Sequence, residues 1–210
     1  MKFSILKSSL FKNTAIYTIT DGISKGLAFL TLPLISHYLI PEELGIAANF
    51  DVLQNILMLL AGQAVINSMP YFFYGKTKEE KSNIVSSLFF IVIVSNILFS
   101  FLILLFTAIL EDYLHIGILL QILTIVSVVA HLISCLNLVL YRLEDKPYIF
   151  AKLQITQTVL YLTALVIFVV VLRMSALGKI LSVIVSFSLM AIVHIVLLIK
   201  RDYLKLSINI

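Results

Sequence analysis

The sequence predicts an all-α, polytopic membrane bundle of six transmembrane helices in a single domain over residues 1–210, with both termini cytoplasmic. Three observations carry this. Six long apolar runs fill the chain. Of its 210 residues, 61% are hydrophobic and only 12% charged, too little polar surface for a soluble domain of that length. Lys and Arg also fall on alternate sides of the runs. These are Thr14–Tyr38, Gly45–Met69, Ile84–Leu110, Gly117–Tyr141, Tyr148–Leu172 and Ile180–Ile199. Each matches or exceeds the roughly 20 residues that cross ~30 Å of hydrocarbon at about 1.5 Å per residue.

Orientation follows from the cations. Of the 15 Lys and Arg, all but Lys25, Arg173 and Lys179 fall at one side: the N-terminal segment, the loops around Lys76–Lys81 and Arg142–Lys152, and the segment from Lys200. Cation-rich short loops stay inside, which puts both termini in the cytoplasm. Glu42, Glu43, Glu111 and Asp112 sit in the outer loops, and Tyr38, Tyr71, Tyr74, Tyr113, Tyr141, Tyr148 and Tyr203 mark span ends, as interfacial tyrosines do. The pI near 9.1 reflects this topology and anionic lipid at the inner face, not nucleic acid. The single cysteine, Cys135, excludes an internal disulfide. Residues 1–12 alternate apolar residues with Lys and Ser, which suits a short interfacial helix rather than a signal peptide.

In the first run, Asp21 and Lys25 lie four apart and are expected to neutralise each other inside the membrane, lining a cavity or holding the bundle together. Gly22 and Gly26 form a G-x-x-x-G that admits a neighbouring helix, and Pro33 is expected to kink the outer third. In the second run, Asp51, Gln54, Asn55, Met58 and Gly62 recur at helical spacing, followed by Gln63 and Asn67 near the inner end. Such a stripe must face protein or water, and Lys25 is the expected counter-ion of Asp51.

The fourth run carries Gln121, Thr124, Ser127, His131 and Ser134 on one face; His131 is a candidate proton relay, or a hydrogen-bonded packing residue. The fifth bears Lys152, Gln154, Gln157, Thr158 and Tyr161, with Lys152 close enough to the inner end to snorkel or to join Arg142 and Lys146 at an anionic headgroup. In the sixth, His194 and the serines read as packing. No catalytic motif, phosphate-binding glycine pattern, metal-ligand cluster or cofactor signature is present, so the chain reads as a non-enzyme.

The stretch Phe11–Gly45, FKNTAIYTITDGISKGLAFLTLPLISHYLIPEELG, resembles the opening of bacterial polysaccharide and O-antigen (Wzx-type) flippases of the multidrug/oligosaccharidyl-lipid/polysaccharide exporter superfamily. Asn13, Gly22, Lys25, the segment Phe29–Pro33 and the loop Leu39–Gly45 carry the likeness; beyond about residue 75 it is one of layout. It implies the N-terminal lobe of a two-lobe transporter in the bacterial plasma membrane, a half-transporter or truncated form whose second six-helix lobe is another molecule or a second copy. It further implies turnover of lipid-linked oligosaccharide by alternating access, with Lys25 meeting the diphosphate and Asp21 as its resting counter-ion. The alternatives are a multidrug exporter of the same superfamily, or a non-transporting scaffold or inactive remnant.

Overall fold

The computed structural model describes residues 9–204; the interfacial helix expected over residues 1–12 lies largely outside them, as do Lys2, Lys7 and Lys205. The described residues hold helices and no strand. In chain order these are α1 (Ser9–Tyr38), α2 (Pro41–Met58), α3 (Ala64–Asn67), α4 (Met69–Phe73), α5 (Lys78–Leu105), α6 (Thr107–Leu114), α7 (Ile118–Leu143), α8 (Pro147–Leu165) and α9 (Ser175–Lys200). A π-turn, Leu59–Gln63, joins α2 to α3, and a second, Val166–Val171, extends α8.

Five of these stretches are long and apolar enough to cross a membrane: Pro41–Phe73, Lys78–Leu105, Ile118–Leu143, Pro147–Val171 and Ser175–Lys200. The chain is a multi-pass membrane protein. The first expected span, within α1, does not join that set: Asp21, Lys25 and His37, with the hydroxyl residues between, dilute its apolar character. The third expected span is also divided, since α5 ends at Leu105 and a separate α6 follows Phe106.

Local chemistry sets the helix ends. The P-E-E-x-G turn is the start of α2: Pro41 occupies the first turn, where no amide donor is needed, and Glu42 and Glu43 place negative charge at the helix N-terminus. The Glu43 carboxylate accepts from the Ile40 amide at 3.2 Å. Thr77 and Glu80 form a reciprocal capping box on α5, with Thr77 N donating to Glu80 at 2.8 Å and Glu80 N donating to Thr77 at 3.3 Å. Pro147 opens α8 in the same way as Pro41 opens α2.

Helix α7 is the hub, packing against α2, α5, α8 and α9. One core joins α7 to the α2–α4 segment and α5 through Met58, Ala61, Ile66, Val92, Leu132 and Leu136. Helix α1 lies along α8 in the same direction. Tyr17 meets Phe150 edge-on at 5.1 Å, and Ile35 and Leu39 pack on Leu165 and Val169.

At the end of the bundle where α7 stops and α8 starts, here called the basal end, charged groups clasp the helices. Glu144 pairs with Arg201, with Lys146 at 3.0 Å, and accepts from the Tyr203 hydroxyl. Ser82 and Ser86 of α5 donate to the carbonyls of Asp202 and Tyr203 at 2.7 and 2.9 Å. Burial pushes the Glu144 carboxyl up, but the hydrogen bonds from Tyr203 and Lys146 and the Arg201 charge outweigh it and hold the group below its ordinary 4.5. Burial and the Glu144 carboxylate push the Tyr203 hydroxyl up to about 12.

A depressed carboxyl stabilises fully above its unfolded value, and that stability is lost as pH falls through the folded one. Glu144→Gln should therefore lower stability near neutrality by about 1–3 kcal/mol and flatten the acid limb below pH 4.5, followed as unfolding against pH. An unchanged acid limb would remove Glu144 from the clasp.

Candidate functional site

A polar cavity of about 330 Å³ opens among α1, α2, α7, α8 and α9. Its α2 wall is Asp51, Gln54, Asn55 and Met58, four members of one helical stripe. Ser24 of α1 faces them, and α8 contributes Gln157, Thr158 and Tyr161. His131, midway along α7, stacks on Phe187 of α9 with ring centroids 4.1 Å apart and planes at 17°. The two rings cover each other's faces, and Met58 and Val183 add further apolar surface beside the carboxylate, amides and hydroxyls.

Several of these groups have no hydrogen-bond partner in the protein: Ser24 Oγ, both ends of the Gln157 amide and His131 Nδ1 are all buried and unpaired. Others are tied. Thr158 donates to the Gln154 carbonyl at 3.1 Å, and Tyr161 hydrogen-bonds with Thr31 of α1.

The charges pair differently from the expectation. Asp51 forms its ion pair with Lys179 of α9, not with Lys25. The Lys179 side chain is 8% exposed and also lies over the Phe50 ring at 5.9 Å, whereas the Asp51 side chain is 47% exposed and borders the cavity. Nor do Asp21 and Lys25 neutralise each other. Asp21 pairs with Arg142 at 3.3 Å, and the Arg142 guanidinium lies over the rings of Phe150 and Tyr17 at 4.7 and 5.6 Å. Because Arg142 ends α7, Asp21 belongs to the basal end rather than to mid-membrane. Lys25 is exposed, lies outside the cavity and makes no ion pair among the described residues.

Gly22 and Gly26 are likewise exposed, with nothing within 4 Å of an added Cβ, so no helix among the described residues packs on them. Gly62 departs from its stripe altogether: it is buried beneath Val92 and Leu132. The polar face of α7 is mostly satisfied internally. Gln121 donates to the Ile116 carbonyl at 2.8 Å, and Thr124, Ser127 and Ser134 donate to carbonyls of their own helix, which leaves His131 as the member that reaches the cavity. His194 is a packing residue, with its Nδ1 2.9 Å from the Asn137 amide of α7.

Four residues at or beside the cavity are not singled out by sequence reasoning: Ser24, Val183, Phe187 and Lys179. By charge placement alone Lys179 falls in an outer loop. Its signal lies in the spacing Lys179, Ser182, Ser186, a buried polar line on α9 that only a protein-facing surface tolerates.

Fold and cavity together define a multi-pass membrane protein whose helices border an open, ligand-sized cavity with polar groups on its wall. Its sequence and structure match no protein-family model, no curated protein and no solved structure.

Proposed function

We propose that this chain is the N-terminal lobe of a transporter that turns lipid-linked oligosaccharide across the bacterial plasma membrane by alternating access. The observation that carries the reading is the cavity itself. The bundle places a carboxylate, three amides and several hydroxyls around a space of about 330 Å³, within the size range of small-ligand sites, roughly 300–1,000 Å³. Polar groups at membrane depth are costly and by default line a substrate or ion path.

The same reading takes α1 as a sixth span, supported by its parallel packing along α8 from Tyr17 to Leu39, and puts the cation-rich basal end in the cytoplasm. Alternating access needs a second body, so a partner lobe or second copy is assigned to the face carrying Gly22, Gly26 and Lys25. Lys25, next in sequence to Ser24 but outside the cavity, is the cation placed to meet the diphosphate.

Filling the cavity tests this. In cells whose surface glycan depends on the transporter, Asn55→Phe should lower surface glycan at least about tenfold, a loss of transport rather than of insertion, with membrane levels unchanged. Normal glycan in a stably inserted Asn55→Phe protein would refute the role of the cavity. A second reading, export of small organic cations, draws on Asp51 being the one carboxylate on the wall. Resistance to cationic dyes that is lost in the same variant would favour it.

A further inference from the structure

We infer that the cavity selects an uncharged, polyhydroxylated segment of its ligand and turns away one bearing a carboxylate. This rests on the proposed function and sharpens it: the lobe takes neutral sugars rather than uronic acids.

The inference comes from charges and hydrogen-bonding groups facing the space from each helix that borders it. Among the described residues no Lys or Arg lines the cavity. From α1 comes Ser24; from α2, Asp51 with the Gln54 and Asn55 amides; from α7, His131, whose Nδ1 is unpartnered; from α8, the Gln157 amide and two hydroxyl side chains; from α9, Phe187. Lys179, the cation nearest to Asp51, is buried and engaged with it, so it presents no free charge to a ligand. The wall is thus neutral except for a half-exposed carboxylate.

That inventory suits a sugar. Side-chain amides donate and accept at once, as do hydroxyls, so each can answer a ligand hydroxyl in either sense. Ser24 Oγ, His131 Nδ1 and both ends of the Gln157 amide lack protein partners but are sealed from the space, so a ligand hydroxyl meets the exposed Asn55 directly and gains these groups once their side chains turn towards it. Phe187, Val183 and Met58 supply apolar surface against which the C–H side of a pyranose can lie. A uronic acid in the same place sets its carboxylate against Asp51 with no uncommitted cation to receive it. Selectivity of this kind comes from the repulsive element as much as from the attractive ones.

The test uses the full chain in lipid nanodiscs and two probes: a polyisoprenyl diphosphate carrying one hexose, and the same lipid carrying one hexuronic acid. The hexose probe should bind at least about tenfold more tightly. The double variant Asp51→Asn/Lys179→Met, which removes the pair without stranding either partner, should bring the ratio below about threefold by tightening the acidic probe. Independently, Gln157→Leu should weaken the hexose probe at least about fivefold. Equal binding of both probes to the unaltered chain, or tighter binding of the acidic one, overturns this inference and leaves the transport reading standing. Binding of neither glycolipid overturns the transport reading and this inference with it.

Discussion

Asp51→Ala should destabilise the bundle by about 3–5 kcal/mol, because it leaves the Lys179 ammonium buried without a counter-charge. Lys179→Met should be clearly milder. The Asp51 carboxylate it strands keeps 47% of its side-chain surface exposed, whereas Lys179 keeps 8%. The double change Asp51→Asn/Lys179→Met should return close to the original stability, since replacing both members of a buried pair by neutral groups of similar size is often neutral or better. Reversible unfolding in bicelles measures all three. Equal losses for the two single variants would mean that the pair is evenly solvated, contrary to its uneven burial.

Gly178→Ala should be the other large effect, a loss of about 2–3 kcal/mol despite the better helix propensity of alanine. Its Cβ would sit 2.8 Å from the backbone carbonyl oxygen of Phe168, in the π-turn that ends α8, and backbone there has little room to yield. Gly62→Ala should lose less, about 1 kcal/mol, since the nearest atom is a Val92 methyl at 2.9 Å, which can shift. Gly22→Ala and Gly26→Ala meet nothing within 4 Å and should leave the unfolding of this chain unchanged or gain up to about 1 kcal/mol. A deficit at Gly178 no larger than at Gly22 would show that the α8–α9 junction is more pliable than its packing indicates.

The apolar runs and the α2 stripe were legible because both are properties of one helix at a time. Run length reports hydrocarbon thickness, and the spacing of Asp51, Gln54, Asn55 and Met58 reports a shared face, the face that lines the cavity. The ion pairs were not legible. Asp21 has Lys25 within reach on its own helix, yet Arg142 reaches it across the bundle while lying over the Phe150 ring. Which helices are neighbours, and at what height, is not written in the period of any one of them.

The π-turn hid a second feature. Gly62, inside that turn, has non-helical backbone angles (φ 170°, ψ −10°), so the chain is kinked there and the 3.6-residue repeat of α2 does not carry through it. Gln63 and Asn67 lie off the wall that Asp51 and Asn55 share, and Gly62 lies under Val92.

The two ends of the bundle are held by different forces, and so they answer to different solvents. At the basal end Arg142–Asp21 and Lys78–Asp202 are at least a third exposed, and Lys76–Glu80 nearby is too. Their attraction is screened as ionic strength rises and the Debye length shrinks from ~10 Å at 0.1 M to ~3 Å at 1 M. The contact of α1 at the far end, where Ile35 and Leu39 meet Leu165 and Val169, is apolar and holds no ion pair to screen. Concentrated salt should thus loosen the tie of α1 at one end only, turning a helix fixed at two points into a lever with a single pivot.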